Sequence, residues 1–88
     1  MGRSQRPRPK YLSKKLLQIR KELGLSQVDM VKHLGFRRIH PAHISAYERG
    51  VREPPLPVLL KYARLAGVST DLLIDDQLSL TLPTSRKR

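Results

Sequence analysis

The residues with the most chemical range in this chain are its three imidazoles, His33, His40 and His43, and of these His40 and His43 stand three positions apart. Such spacing at the start of a helix suits two metal ligands, yet a tetrahedral site needs a third or fourth. The chain has no cysteine, and no paired carboxylates lie close by, so no metal is implied. These histidines read instead as surface groups, or as groups lying over a nucleic acid. Catalysis meets the same difficulty, because no glycine-rich phosphate loop and no set of nucleophile, base and orienting group is present. No enzyme and no cofactor is expected. The basic residues say more. Eighteen Lys and Arg against seven Asp and Glu give a formal charge of +11, and a sequence pI near 11.0, a balance that favours a polyanionic partner.

That charge is concentrated at the two ends. Residues 1 to 15 hold six basic residues and no acidic one, and Arg86, Lys87 and Arg88 follow at the other end, so the ends carry nine of the eleven net charges. Between them, residues 16 to 83 have nine basic and seven acidic side chains, 9 − 7 = +2. The first segment, with Arg3, Arg6, Arg8 and Lys10 among prolines, has almost nothing to bury and is expected to be disordered when free. The organisation expected is a basic arm over 1–11, a globular body over 12–76, a strand-like extension over 77–83 and a basic tail over 84–88.

Eighty-eight residues, 39% of them hydrophobic, allow one domain with one small core. Without cysteine that core is held by packing alone, which is compatible with a reducing cytoplasm. Unbroken apolar runs reach only three residues, as at Val58, Leu59 and Leu60, far short of the roughly 20 that span a bilayer. The basic start is not followed by an apolar signal segment. A cytoplasmic protein with no membrane partner is the expectation.

Five short helices account for the body. Leu12, Leu16, Ile19 and Leu23 fall on one helical stripe, with Lys14, Lys15, Gln18 and Lys21 off it, and Gly24 closes the helix. Ser26 reads as the N-cap of a second helix from Gln27 to Leu34, with Asp29 in the capping-box position and Gly35 as the stop. The stretch from Phe36 to His40 has no clear period. Pro41 suits the first position of a third helix that runs to about Arg49, with Ile44 and Tyr47 inward. A fourth starts near Leu56 and carries Leu59, Tyr62, Ala63 and Ala66 to Gly67, and Ser69 caps a short fifth helix through Ile74. Leu78, Leu80 and Leu82 then alternate with polar residues, a period-two pattern that reads as a strand. A lone strand cannot satisfy its own backbone. Either the segment pairs with its copy in a second chain, making these leucines dimer candidates, or it folds back on the fifth helix or stays disordered.

Residues 16 to 74 resemble the phage-repressor and xenobiotic-response-element type of helix-turn-helix domain. The resemblance rests on Ile19-Arg20, Leu23-Gly24-Leu25-Ser26-Gln27, His33-Leu34-Gly35 and Ile44-Ser45-Ala46-Tyr47-Glu48-Arg49-Gly50. It continues through Arg52-Glu53-Pro54, Leu56, Ala63, Gly67-Val68-Ser69 and Leu72-Leu73. One departure is clear: Gly35 to Ile44 spans nine positions, a longer turn than such domains usually have. Val31 also stands where alanine is usual, at the contact of the two helices.

The resemblance implies an all-α, lambda-repressor-like fold and a DNA-binding transcriptional regulator, a repressor that binds a palindromic operator of double-stranded DNA as a homodimer. It implies that His40, Pro41, Ala42, His43, Ser45 and Ala46, at the start of the third helix, face base edges. Gln27, Arg49 and Arg52 match positions that hold phosphates, and Arg37 and Arg38 in the lengthened turn are candidates for base or phosphate contact. Arg20 and Glu48 match a structural pair that fixes the recognition helix. Few of the base-facing residues are long forked donors of the kind that discriminate by ~1 to 3 kcal/mol each, so modest base readout is expected. Two other readings use the same helices. One is an antitoxin-like module whose main partner is a protein, a toxin or another regulator. The other is a low-specificity nucleic-acid binder that relies on its basic ends.

Overall fold

The computed structural model describes residues 9–82. The apolar stripe that starts at Leu12 becomes α1 (Leu12–Glu22), whose Leu12, Leu16 and Ile19 are buried. After Gly24, α2 (Gln27–Leu34) opens on Ser26, whose hydroxyl accepts from the Asp29 N–H at 3.0 Å. It ends at Gly35, where φ of +76° suits a residue without Cβ. The third helix, α3 (Pro41–Glu48), starts on its proline, and α4 (Leu56–Ala66) and α5 (Thr70–Ile74) complete the element order. Ser69 does not cap α5 through its side chain as the sequence suggests. The Leu72 N–H is taken by the Ser69 carbonyl instead, at 3.1 Å.

All five helices share one core. Leu16, Ile19, Met30, Ile44, Tyr62 and Leu73, from α1 through α5, are fully buried, and α3 packs on both α1 and α2. The lengthened turn has an inner side too. The Ile39 N–H donates to the Phe36 carbonyl at 3.4 Å, Ile39 is buried in the core and Phe36 packs on its edge, which leaves Arg37 and Arg38 exposed at the tip.

The expected strand is absent: no strand occurs among the described residues. The alternation of Leu78, Leu80 and Leu82 does not mark one face, because Leu78 is 39% exposed while Leu82 is 3% exposed and belongs to this chain's own core. The segment's backbone finds a partner in a side chain rather than in another strand. Lys15, on α1, is only 6% exposed, against the solvated placement that its position off the apolar stripe implies. Its Nζ donates to the carbonyls of Leu72 at 2.7 Å, Leu78 at 2.9 Å and Asp75 at 3.1 Å. A buried ammonium is tolerated where its donors are used in this way, and here it terminates α5 and holds the following segment against α1.

A second link runs in the opposite direction. The Asp76 carboxylate accepts the backbone N–H of Lys10 at 2.9 Å and of Tyr11 at 3.1 Å, and Tyr11 is an N-cap without a side-chain bond of its own. Those N–H groups, the Lys10 amide first, hold the Asp76 carboxyl below the usual carboxylate range. The root of the basic arm is therefore pinned to the C-terminal side of the domain. Arg3, Arg6, Arg8 and the tail 84–88 lie outside the described residues.

Lys15→Met keeps the aliphatic stem but removes the donor to the Leu72 and Leu78 carbonyls and leaves the Asp75 carbonyl with the Leu78 N–H alone. The expected loss is about 2 kcal/mol, a fall of about 10 °C in Tm in a domain of this size. An unchanged melting curve would show that water serves those carbonyls equally well.

Candidate nucleic-acid interface

One largely buried ion pair decides how α3 sits. Arg20 Nε donates to Glu48 Oε2 at 2.6 Å and Arg20 Nη2 to Glu48 Oε1 at 3.0 Å, a two-point contact from α1 to the last residue of α3. The two side chains are 14% and 6% exposed. Arg20 Nη1 donates to the Leu25 carbonyl at 2.9 Å and Gln27 Nε2 donates to Glu48 Oε1 at 3.2 Å. The pair therefore binds α1, the α1–α2 turn and the start of α2 to the end of α3. The hydrogen bonds that Arg20 donates to Glu48 raise its guanidinium above the ordinary value against the opposing effect of desolvation. Gln27, matched by position to a phosphate contact, thus has its amide nitrogen directed into this network. Two nearby tyrosines, Tyr47 and Tyr62, are both buried, and burial pushes each phenol upward.

With its inner face fixed by Ile44, Tyr47 and Glu48, α3 turns its other residues outward. His40 and Ala42 are exposed, and Pro41, His43, Ser45 and Ala46 are half-buried. Ser45 is not free to rotate at will, since Arg49 Nε donates to its Oγ at 3.2 Å one turn later. The first turn is also organised: the His40 N–H donates to His43 Nδ1 at 2.9 Å, and the two imidazoles stack with centroids 5.5 Å apart.

The cationic candidates lie at three places around this helix. Arg37 and Arg38 form the exposed tip of the preceding turn. Arg49 sits at the C-cap of α3 and is exposed. Arg52 lines a depression together with Pro9, Lys10, Ser13, Gly50 and Glu53, so the root of the basic arm and the residue after α3 meet at one spot although far apart in the chain. No sequence pattern signals that meeting, nor the Leu25 carbonyl and Gln27 amide in the Arg20 network. Backbone acceptors and contacts across dozens of residues leave no periodic trace.

Among the described residues no group of three His, Cys, Asp or Glu is placed to hold a metal, and no helix is long and apolar enough to cross a membrane. The helix-turn-helix family's sequence model matches residues 16–73. No curated protein matches in sequence. Among solved structures, the crystal structure of the P22 c2 repressor protein, in complex with synthetic operator 9T in the presence of Tl+, is similar at a TM-score of 0.65. It is 26% identical, over 74% of this chain and 94% of that one. The five-helix arrangement is thus the lambda-repressor-like fold.

Glu48→Gln removes the charge opposite a guanidinium that is largely out of water. The expected loss is about 3 kcal/mol, a drop of at least about 10 °C in Tm. A melting temperature equal to that of the parent would show that the pair contributes no net stability.

Proposed function

The chain belongs to the helix-turn-helix family over residues 16–73, and we propose that it is a DNA-binding transcriptional regulator, a repressor that engages a palindromic operator as a homodimer with α3 in the major groove. The observation that carries this reading is the pose of α3. Its inner face is locked to α1 and α2 by Arg20–Glu48, and its first two turns are left outward with short side chains that let a helix approach base edges closely. The P22 c2 repressor, whose fold this chain shares, is itself a repressor seen on an operator.

Phosphate contacts fix register while base contacts select sequence. Arg37 and Arg38, exposed before α3, and Arg49 and Arg52, exposed after it with Lys10 beside Arg52, are proposed to clamp the DNA backbone. Arg3, Arg6 and Arg8 are proposed to extend that clamp along phosphates or into a minor groove.

For the second copy, the position of Leu82 inside its own core argues against a face built from all three tail leucines. The exposed apolar face formed by Leu56, Leu60 and Ile74 is the better candidate; these side chains are 79%, 43% and 44% exposed. A contiguous apolar surface of this kind marks an interaction site, and a two-fold axis through it would present two copies of α3 to successive turns of DNA.

Selection of bound duplexes from a random library tests the reading at once. The expected product is a palindromic motif with half-site centres about 34 Å apart, and a promoter that overlaps it falls in output when the protein is present. Arg52→Ala, and separately removal of residues 1–10, should weaken every sequence alike and flatten the dependence of log K on log salt by ~0.9 for each phosphate no longer neutralised. Duplexes with no shared motif would overturn the reading in favour of a charge-driven binder.

The dimer is tested by Leu60→Glu, which leaves the core untouched and is expected to shift the sedimenting species from dimer to monomer with cooperative melting retained. A variant that still sediments as a dimer would place the interface elsewhere.

A further inference from the structure

His43 is an outward residue of α3 on which a backbone hydrogen bond fixes the chemistry of the side chain. Its Nδ1 accepts the His40 backbone N–H at 2.9 Å, and its own backbone N–H donates to the His40 carbonyl at 2.8 Å. A ring nitrogen that accepts from an N–H carries no proton, so the hydrogen of the neutral imidazole is on Nε2. The His40 ring stacks on it, with planes 25° apart, and restricts its rotation. The far nitrogen, Nε2, has no hydrogen-bond partner among the described residues. The half-buried ring therefore presents a single N–H to the outside of the recognition helix.

We propose that His43 reads one base of the operator as an obligate hydrogen-bond donor through Nε2–H, selecting guanine and rejecting cytosine at that base. Guanine offers two adjacent acceptors, O6 and N7, on its major-groove edge, whereas cytosine offers the N4 amine, a donor that meets a donor. Adenine N7 and thymine O4 are intermediate, each a single acceptor beside a donor or a methyl group. A free imidazole accepts or donates according to its tautomer and so discriminates poorly. The backbone lock on Nδ1 removes that ambiguity, and Nε2 is a donor whether the ring is neutral or charged. This proposal rests on α3 being the recognition helix.

The test has two independent arms. In the free wild-type protein, long-range 1H–15N spectra of the imidazoles are expected to show His43 protonated at Nε2; a ring protonated at Nδ1 overturns the proposal whatever the DNA does. In the second arm, wild type, His43→Ala and His43→Glu are each used to select duplexes from a random library, with melting curves alongside. The wild-type motif is expected to hold a guanine whose replacement by cytosine weakens binding about 10-fold or more. His43→Ala is expected to flatten that position alone. His43→Glu keeps an acceptor for the His40 N–H in the capping-box position but offers an acceptor to the groove, so that position is expected to move to cytosine. Selective wild-type binding with the same motif in both variants overturns the proposal and leaves the functional reading standing. No selective binding by the wild type overturns both.

Discussion

Two charges held side by side and largely out of water between α1 and α3 are the constraint around which the rest of the domain is arranged. A carboxylate and a guanidinium taken out of water are unfavourable separately, and their attraction offsets that cost only when the geometry is good and the remaining donors are used. Here both conditions are met. Glu48 receives Arg20 at two points and Gln27 at a third, and the spare Arg20 nitrogen finds the Leu25 carbonyl. Because those four residues come from α1, the α1–α2 turn, α2 and α3, moving α3 means breaking several charge-assisted hydrogen bonds together. The pair is better understood as setting an angle than as adding stability.

The second constraint runs through the two ends of the domain. Lys15 reaches from α1 to three carbonyls around the end of α5, and Asp76 reaches back to the two amides before α1. This reciprocal arrangement takes the place of a paired strand, since it satisfies a segment that has alternating leucines but no ladder. It also places Lys10, the last cation of the arm, beside Arg52. Pro9 and Lys10, at the root of the arm, therefore lie at the depression that Arg52, shortly after α3, also lines.

Much of this is legible in the sequence, and the reasons differ from residue to residue. Leu12, Leu16 and Ile19 announce α1 because three apolar side chains at helical spacing have one face to bury. Gly35 and Gly67 end helices because the left-handed conformation at each, with φ of +76° and +74°, disfavours any residue with a Cβ. The lengthened turn is not readable: Phe36 and Ile39 have no period, yet Ile39 is in the core and Phe36 packs against it. Lys15 escapes for a related reason. Its neighbours on the helix surface mark it as solvated, and only the arrival of carbonyls from 57 to 63 residues later makes burial tolerable. Leu82 goes with it, since a strand-like alternation cannot reveal that a lysine already serves the backbone. On the candidate interface, charge and position point to Arg37, Arg38 and Arg52, while the lock on His43 depends on a local bond that sequence spacing alone does not show.

The central claim is that the outward face of α3, held by Arg20–Glu48, is the surface that meets DNA. The most direct measurement is titration of the isotope-labelled protein with its selected duplex while backbone and side-chain amide signals are followed. The largest shifts are expected at His40, Ala42, His43 and Ser45, with lesser ones at Arg37, Arg38, Arg49 and Arg52, and a quiet interior around Met30 and Leu73. Shifts confined to the basic ends, with α3 unmoved, would contradict it.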